Sequence, residues 1–594
     1  MCVLPHAEPQ ATSHSSFYEQ VPGIHLPWFD GVARAMRPRH LPVVQTPVAV
    51  RDLPMHMEGT AGWPWGAASL ALANGCCATG RHGGMLFGAD SVTASLAREV
   101  RTPNRNGMPG PIMPGMTTDD IRALFEVQYQ ASRAQPDVPL LLRRERLLRM
   151  RKLIDERGPE LAAAVQADFG MRSLRLTEVA DFFVLRALLS HTLSHLARWS
   201  RPQKVRTPLH LQPARAWIQR QPLGVVGVIA PWNYPIQLAL APAITALAAG
   251  NRVMVKPSEL TPHLSAKLAE VVGQFFAPDE LCVVQGDASV AALVASLPFD
   301  HLVFTGSTAV GRKVAQAAAA NLTPTTLELG GKSPCIIDAN CNLQEAALKI
   351  AHGKLLNAGQ TCIAPDYVLL PQGSEAAFTE AYRAAVARLF PQIEGNPDYA
   401  SIISARHLAR LRTMLQQAQT QGAEVVSVQP APVAPAPNHQ ASLGDGISRQ
   451  MAPVLVFGAT SSMQLMQEEI FGPVLPVITY ERLDDAITHI NANPRPLALY
   501  WFGNDARVRD DVLARTVSGG VTVNDTLMHI AHDNLPFGGV GDSGWGAYHG
   551  EQGFVRFSHQ KSVLVQSPWA MGWLFYPPYG VRFDRVMQAL RRWL

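Results

Sequence analysis

The sequence predicts an α/β protein built around doubly wound parallel sheets, and two observations carry this prediction. Short apolar stretches recur from Trp217 onward, at 225–229, 253–255, 282–284 and 301–304. Longer stretches with helical periodicity lie between them, at 236–249 and 261–276. Strands that alternate with helices form parallel sheets, and such sheets bind ligands outside the carboxyl ends of their strands.

Composition narrows the class of protein. The chain has 594 residues, 47% hydrophobic and 16% charged, which is typical of a folded enzyme with two or three domains. A formal charge of +4 is too small over this length to indicate a nucleic-acid partner. Seven scattered cysteines match neither a disulfide framework nor a zinc site, so we expect no metal and a reducing compartment. The first residues lack the basic and apolar regions of a secretory signal, and no apolar run reaches roughly eighteen residues. We therefore expect a cytoplasmic protein without a secretory signal or a membrane span.

The two ends of the chain differ from its middle. Residues 1–116 are rich in Pro, Gly, His and Met, which predicts a disordered extension or a start codon assigned too far upstream. A small partner-binding or targeting module is the alternative. Residues 567–594 form an aromatic and basic tail with apolar residues at helical spacing. We expect this tail to pack within a dimer, with a helix on a membrane surface as the alternative.

Cys362 is the candidate nucleophile. It lies in the segment 357–367 between Gly359 and Pro365, where the backbone can bend sharply and present the sulfur. Most free cysteines are small buried hydrophobes, so the prediction depends on two further segments.

Glu328 and Asn233 are the candidate partners of that thiol. Glu328 lies in an apolar, strand-like run within 325–334, where desolvation would raise its pKa toward the range of a general base. Asn233 lies between two prolines within 229–235, so its rigid amide could donate to an oxyanion formed at Cys362.

A nucleotide site is indicated by residues that follow two other strands. The turn from Gly306 through Ser307 to Gly311 opens a helix, and free amides at a helix N-terminus can receive a pyrophosphate. Such a turn is weak evidence alone, because Gly-Ser turns also cap helices that bind nothing. Lys256 and Glu259 end another strand and would lie at the same edge of the sheet.

Six ordered motifs resemble the aldehyde dehydrogenase superfamily. They lie at 229–235, 254–259, 304–311, 325–334, 357–367 and 468–473, within a resemblance that runs from about 117 to about 563. The residues at 362–367, 495–500, 535–541 and 546–550 are similar to those of the class 3 branch. The run 224–261 and the Asn-Asp-Thr-Leu stretch at 524–527 are most similar to coniferyl aldehyde dehydrogenases.

The resemblance implies two doubly wound parallel-sheet domains, a Rossmann-like cofactor domain and a catalytic domain, with a small bridging sheet used in oligomerisation. The implied cofactor domain covers 117–330, with bridging strands at about 203–221. The catalytic domain would cover 331–535, and 536–566 would form a return segment with a bridging strand. A homodimer is implied because class 3 relatives are dimers.

The resemblance further implies a dinucleotide. It assigns Lys256 and Glu259 to the adenosine ribose, where an acidic residue disfavours a 2′-phosphate, so NAD is expected and NADP is the alternative. Glu469 would hold the nicotinamide ribose, and Phe471 would lie against the nicotinamide ring unless it is an ordinary core aromatic. The remaining cofactor-binding candidates are Trp232, Gly306, Ser307 and Gly311.

The implied activity is NAD(P)-dependent oxidation of an aldehyde to its carboxylic acid. The Cys362 thiolate would attack the aldehyde carbon, while the Asn233 amide and the Cys362 backbone N–H hold the alkoxide. Hydride transfer to the nicotinamide would leave a thioester, which water activated by Glu328 would hydrolyse. The expected substrate is an aromatic, coniferyl-type aldehyde, and a medium- or long-chain aliphatic aldehyde is the alternative.

Two alternative functions, from other classes of protein, are less well supported by the sequence. A catalytically silent binding or structural member is disfavoured by the joint presence of Asn233, Glu328 and Cys362. A plain cysteine hydrolase would not explain Lys256, Glu469 and the glycine turn.

Overall fold

The computed structural model describes residues 116–429 and 448–593, and it contains three sheets. The predicted extension at 1–116 lies outside the described residues, apart from Met116. Two of the sheets are mainly parallel and are accompanied by helices, which confirms the predicted α/β class. Within the described ranges, no helix is both long and apolar enough to cross a membrane.

The six-stranded sheet carries the predicted nucleotide turn. Its strands, in spatial order, are Gly544–Trp545, Thr325–Leu329, His301–Gly306, Val225–Ile229, Arg252–Lys256 and Leu281–Val283. All neighbours are parallel except the first pair. The strand predicted at 282–284 begins one residue earlier, and the strand predicted at 301–304 continues to Gly306.

Helices cover this sheet on both faces, which explains why its central strands read as unbroken apolar runs. The associated helices are Thr118–Ala134, Leu140–Phe169, Leu174–Thr177, Val184–Trp199, Pro235–Ala249, Pro262–Phe275, Ala288–Ala295, Thr308–Ala319 and Gly550–Arg556. A π-helical turn at Glu178–Phe183 precedes the fourth of them. Pro235–Ala249 is buried along its whole length; it begins with a proline and ends at Gly250 in the left-handed conformation, as expected from the preferences of helix ends.

The seven-stranded sheet contains the strand that follows Cys362. Its strands, in spatial order, are Glu424–Ser427, Val454–Phe457, Val474–Tyr480, Tyr367–Pro371, Pro334–Ile337, Ala498–Phe502 and Gly520–Val523. Only the first pair is antiparallel. Its helices are Leu343–Leu355, Glu375–Leu389, Ala405–Thr420, Gln464–Gln467, Leu483–Asn491 and Ala506–Arg515.

The third sheet is small and antiparallel. It joins Gln203–Val205, Arg215–Pro222 and Ser558–Val565, and the last two pair along their full length. The sequence analysis expected strands from these two parts of the chain, and their role as a bridging sheet stays a prediction. Beyond it, the tail folds into a short 3-10 turn at Met571–Phe575 and a helix at Val581–Trp593.

Candidate active site

Cys362 lies on a bent connection between a helix and a strand. After Leu343–Leu355 the chain turns through Asn357, Ala358 and Gly359, whose φ angles are +52°, +53° and +78°. A Cβ atom at Gly359 would clash with the carbonyl oxygen of Gly472, so only glycine permits this close backbone approach. Cys362 as a whole residue is half-buried after this turn.

Asn233 reaches the cysteine connection directly. It follows the strand Val225–Ile229, and its buried side-chain Nδ2 donates a hydrogen bond of 3.1 Å to the Gln360 carbonyl oxygen. The neighbouring Tyr234 hydroxyl lies 2.6 Å from the Thr361 hydroxyl. Two consecutive residues of one segment therefore bind the two residues that precede Cys362, and the second Nδ2 hydrogen of Asn233 is available to another acceptor.

Glu328 lies on the strand Thr325–Leu329 and its side chain is buried. Neither carboxyl oxygen has a hydrogen-bond partner within the described part of the chain. Burial raises the Glu328 pKa well above its usual value. A buried carboxyl group without a partner is costly, which makes Glu328 a candidate for a chemical role rather than a structural one.

The surroundings of Cys362 favour the neutral thiol. Burial is the largest cause that raises the Cys362 pKa, followed by the charges of Glu469 and then Glu328. Backbone N–H groups at Cys362 and Ile363 oppose the shift without reversing it. A thiol in this environment needs a base to form the thiolate.

A buried cluster of charges that the sequence analysis missed adjoins Glu469. The Glu469 carboxylate packs against Gly330, a position where even a Cβ atom would clash. Burial, then the charge of Asp366, raises the Glu469 pKa to about 8, although Lys332 and Lys354 partly offset this shift. Lys354 Nζ is buried 3.9 Å from Asp366 Oδ1, and burial lowers the Lys354 pKa to about 8.

A sequence signal for this cluster was present but incomplete. Lys332 and Asp366 lie inside the motifs at 325–334 and 357–367, and Lys332 Nζ donates to an Asp366 carboxylate oxygen. Lys354 lies in a largely buried helix end, where a charged residue calls for an explanation.

The nucleotide candidates lie at one edge of the six-stranded sheet. Lys256 ends its strand with a buried side chain, and its Nζ donates a hydrogen bond of 2.8 Å to Glu259 Oε2. Burial raises the pKa of Glu259, but the Lys256 hydrogen bond and other contacts outweigh it and lower the pKa overall. Because Ile229 pairs with both Lys256 and Phe304, the neighbouring strand reaches the turn at Gly306 at this same edge.

The glycine turn has the geometry expected of an anion site. Ser307 is the N-cap of the helix Thr308–Ala319, and the helix begins immediately after the strand that ends at Gly306. A Cβ atom at Gly311 would lie 2.6 Å from Leu329 Cδ2, so any larger residue would force the buried Leu329 side chain to shift.

Trp232 and Phe471 form an aromatic contact beside these groups. Their ring centroids are 5.3 Å apart with an interplanar angle of 79°. Trp232 also packs edge-on against His407 at 5.3 Å, and Phe471 adopts a φ of +54°. Phe471 is therefore held by local backbone geometry and by a second aromatic, rather than buried in a general core.

The residues fit a dinucleotide. A helix N-terminus suits a pyrophosphate, the Glu259 carboxylate supplies an acceptor for ribose hydroxyls, and Glu469 Oε1 has no protein partner in the described residues. Within those residues no cluster of three or more metal-ligating side chains occurs.

Two doubly wound sheets, a nucleotide-type turn and a thiol at a bent connection define an α/β enzyme that combines cysteine and dinucleotide chemistry. The chain belongs to the aldehyde dehydrogenase family, because the sequence model of the "Aldehyde dehydrogenase family" matches residues 95–563. The general activity of this family is NAD(P)-dependent aldehyde oxidation. The match begins before residue 117, where the resemblance was expected to start.

The relatives agree with the resemblance found in the sequence. A coniferyl aldehyde dehydrogenase from a Pseudomonas species is 46% identical over 473 residues, spanning 80% of this chain and 96% of the relative. Aldehyde dehydrogenase family 3 member A2 of Mus musculus is 38% identical, spanning 76% and 90% of the two chains. A solved structure described as the substrate-bound state of Staphylococcus aureus AldH has a TM-score of 0.73 at 36% identity, covering 79% of this chain and 99% of that chain.

Proposed function

We propose that Cys362 is the nucleophile of aldehyde oxidation, that Asn233 stabilises the oxyanion and that Glu328 is the general base. The proposal depends on the direct hydrogen bond between the Asn233 amide and the cysteine connection, together with the buried, unpartnered Glu328 carboxyl, whose charge raises the Cys362 pKa. Attack by the sulfur turns the aldehyde oxygen into an alkoxide, which the free Asn233 N–H and the Cys362 backbone N–H stabilise. Removing one such donor typically lowers turnover about a hundredfold to a thousandfold.

Glu328 acts late in this proposal. Its carboxylate takes a proton from the water that attacks the thioester, Cys362 Sγ leaves as the thiolate, and the carboxylic acid product is released. A bound nicotinamide would supply the hydride acceptor before this step.

NAD is the proposed cofactor, with NADP as a weaker alternative. Lys256 and Glu259 would bind the adenosine ribose, and the charge of Glu259 would repel a 2′-phosphate. The amides after Gly306, with Ser307, would hold the pyrophosphate, and Gly311 would let their helix approach closely. Glu469 would accept from the nicotinamide ribose, while Phe471 and Trp232 would bound the ring.

The proposed substrate is a coniferyl-type aromatic aldehyde. Support comes from the Pseudomonas coniferyl aldehyde dehydrogenase, because this chain matches nearly its whole length. A medium- or long-chain aliphatic aldehyde is the competing substrate. Comparing kcat/KM for coniferyl aldehyde with that for a saturated medium-chain alkanal decides between them, and a higher value for the alkanal would contradict the aromatic assignment.

The proposed assembly is a homodimer in the cytoplasm. The strand Gln203–Val205 is exposed at the edge of the three-stranded sheet, where a second copy could pair with it. Val205 and Leu209 expose 44% and 72% of their surface nearby.

The residue roles are tested by following the absorbance of the reduced nicotinamide on adding aldehyde and NAD. We expect Cys362→Ser to abolish oxidation. We expect Glu328→Gln to bind cofactor normally but to accumulate acyl-enzyme, detectable by mass spectrometry as a substrate adduct on Cys362. Full turnover in either variant would refute the role given to that residue.

A further inference from the structure

Arg172 and Asp181 form an ion pair of 2.9 Å, and both side chains are fully buried. The sequence analysis singled out neither residue, and the roles proposed above use neither. Burying two charges is expensive, and such a pair often contributes little net stability compared with apolar residues of similar volume. The contacts that the pair makes therefore call for an explanation other than general stability.

Asp181 lies on the π-helical turn Glu178–Phe183. Single π-helical turns are rare and occur frequently at functional sites. Asp181 Oδ1 accepts a hydrogen bond of 2.9 Å from the backbone N–H of Gln237, and the Ile236 N–H also contributes. These amides belong to the first turn of the helix that begins two residues after Asn233. Asp181 thus accepts hydrogen bonds from the free backbone amides at the start of that helix, which has no local capping side chain.

Arg172 extends the pair to both segments of the candidate active site. Its Nη1 donates to the Asn233 carbonyl oxygen at 2.6 Å and to Asn357 Oδ1 at 3.1 Å. Asn357 Nδ2 in turn donates to the same Asn233 carbonyl oxygen at 3.0 Å and to the Gln360 carbonyl oxygen at 3.3 Å. With the Asn233 Nδ2 bond to Gln360, these contacts close a ring of hydrogen bonds.

The guanidinium is also fixed in orientation. Its central carbon lies 4.8 Å from the ring centroid of Phe169 and 5.3 Å from that of Tyr234. The planar fork of arginine reaches Asp181 on one side and the two asparagines on the other, which a lysine ammonium cannot do.

We infer that Arg172 and Asp181 are positioning residues for the oxyanion site, because they hold the Asn233 amide in register with the Cys362 connection. This inference rests on the proposed role of Asn233. The second Nδ2 hydrogen can serve an oxyanion at Cys362 only while the Asn233 backbone and the Gln360 carbonyl keep their relative positions. A misplacement of about 1 Å at a reacting centre can cost on the order of a hundredfold in rate.

The test is a double-mutant cycle between Arg172→Lys and Asn233→Ala. We expect Arg172→Lys to lower kcat about tenfold to a hundredfold while the KM for NAD stays within about twofold. In the Asn233→Ala background, Arg172→Lys should cause almost no further loss, because the donor that it positions is already gone. A purely structural role for Arg172 would lower activity equally in both backgrounds.

A control is the ion pair between the buried Arg146 and the half-buried Glu280, with an Nε to Oε1 distance of 2.9 Å. Arg146→Lys should change the melting temperature but leave kcat unchanged. If Arg172→Lys does not fold, the double variant Arg172→Gln with Asp181→Asn removes both charges and enters the same cycle.

The outcomes separate the inference from the function on which it rests. If Asn233→Ala alone retains full kcat, the oxyanion role of Asn233 is wrong. If Asn233→Ala loses kcat while Arg172→Lys keeps it, or if the two losses multiply, the positioning role of the ion pair is wrong and the proposed function stands.

Discussion

Glu328 combines a chemical role with a cost in stability, and both follow from its burial. Its pKa is raised well above the usual value, so the folded protein retains a proton that the unfolded chain has already lost. Folding stability therefore falls as pH rises from the unfolded-state pKa of about 4.3 through the raised folded-state pKa. This sign is opposite to that of a carboxylate held in a salt bridge.

Replacing Glu328 by glutamine removes the ionisable group and should remove this pH dependence. We expect Glu328→Gln to gain stability over the natural protein as pH rises from mildly acidic to mildly alkaline, even though its turnover is lower. Urea unfolding midpoints across that range measure the effect. The control is Glu394→Gln at an exposed position, and equal pH dependence in both variants would contradict the assignment.

Some residues of the site could be predicted from the sequence and others could not. Cys362, Glu328 and Asn233 stand out because each has local neighbours that explain its chemistry. Arg172 has no such neighbours, since its partners Asn233 and Asn357 lie 61 and 185 positions away along the chain. Long-range partners of this kind leave no local pattern in a single sequence.

Among the elements, the bent connection before Cys362 depends most on one residue. Gly359 has a φ of +78° and lies against the backbone of Gly472. Gly359→Ala should therefore destabilise the protein by more than the roughly 1 to 2 kcal/mol of left-handed strain, and it should lower kcat by displacing Cys362. Thermal unfolding and steady-state kinetics measure the two effects.

Gly373→Ala is the matched control for that change. Gly373 has a similar φ of +84°, but a Cβ atom there would meet nothing within 4 Å. We expect it to show the strain alone, with normal kcat. If both variants behave alike, the contact with Gly472 does not determine the position of Cys362.

The elements that periodicity predicts well are those buried by their own sheet. The strand Val225–Ile229 agrees with its prediction at both ends, because all five residues are apolar or glycine and buried. The π-helical turn Glu178–Phe183 could not be predicted, because its sequence Glu-Val-Ala-Asp-Phe-Phe is compatible with an ordinary α-helix. The contacts of Asp181 with Arg172 and Gln237 exist only in the folded chain, so the sequence gives no sign of this turn.

At the scale of the whole molecule, the three-stranded sheet joins distant parts of the chain. Trp217 pairs with Val563, which brings the strands near 217 and 562 together as the family resemblance implied. Sequence pattern alone could not fix this pairing, because the last strand is largely exposed and lacks an apolar face. The free edge of this sheet at Gln203–Val205 is the proposed surface for the second subunit.

Charges at that edge should separate the proposed dimer. We expect Val205→Asp with Leu209→Asp to shift the protein to monomer without lowering the melting temperature of the monomer, since both residues are already exposed. Light scattering after size-exclusion chromatography measures the mass. Leu322→Asp, at a residue that is 90% exposed outside this sheet, is the control and should remain dimeric. A dimer that persists in the double variant would place the interface elsewhere.

The C-terminal tail gives the last prediction at this scale. None of its residues 567–592 is buried, yet it carries exposed Trp569, Trp573 and Tyr576 and a helix with an arginine-rich face opposite Val586, Met587 and Leu590. Deleting 567–594 should leave catalysis unchanged and weaken the dimer at least tenfold, which corresponds to about 1.4 kcal/mol. Sedimentation equilibrium measures the dissociation constant, and flotation with vesicles of anionic phospholipid tests the alternative partner. A truncated chain that keeps its dimer constant but loses vesicle binding would assign the tail to a membrane surface, because the aromatic and arginine side chains then act on lipid headgroups rather than on a second subunit.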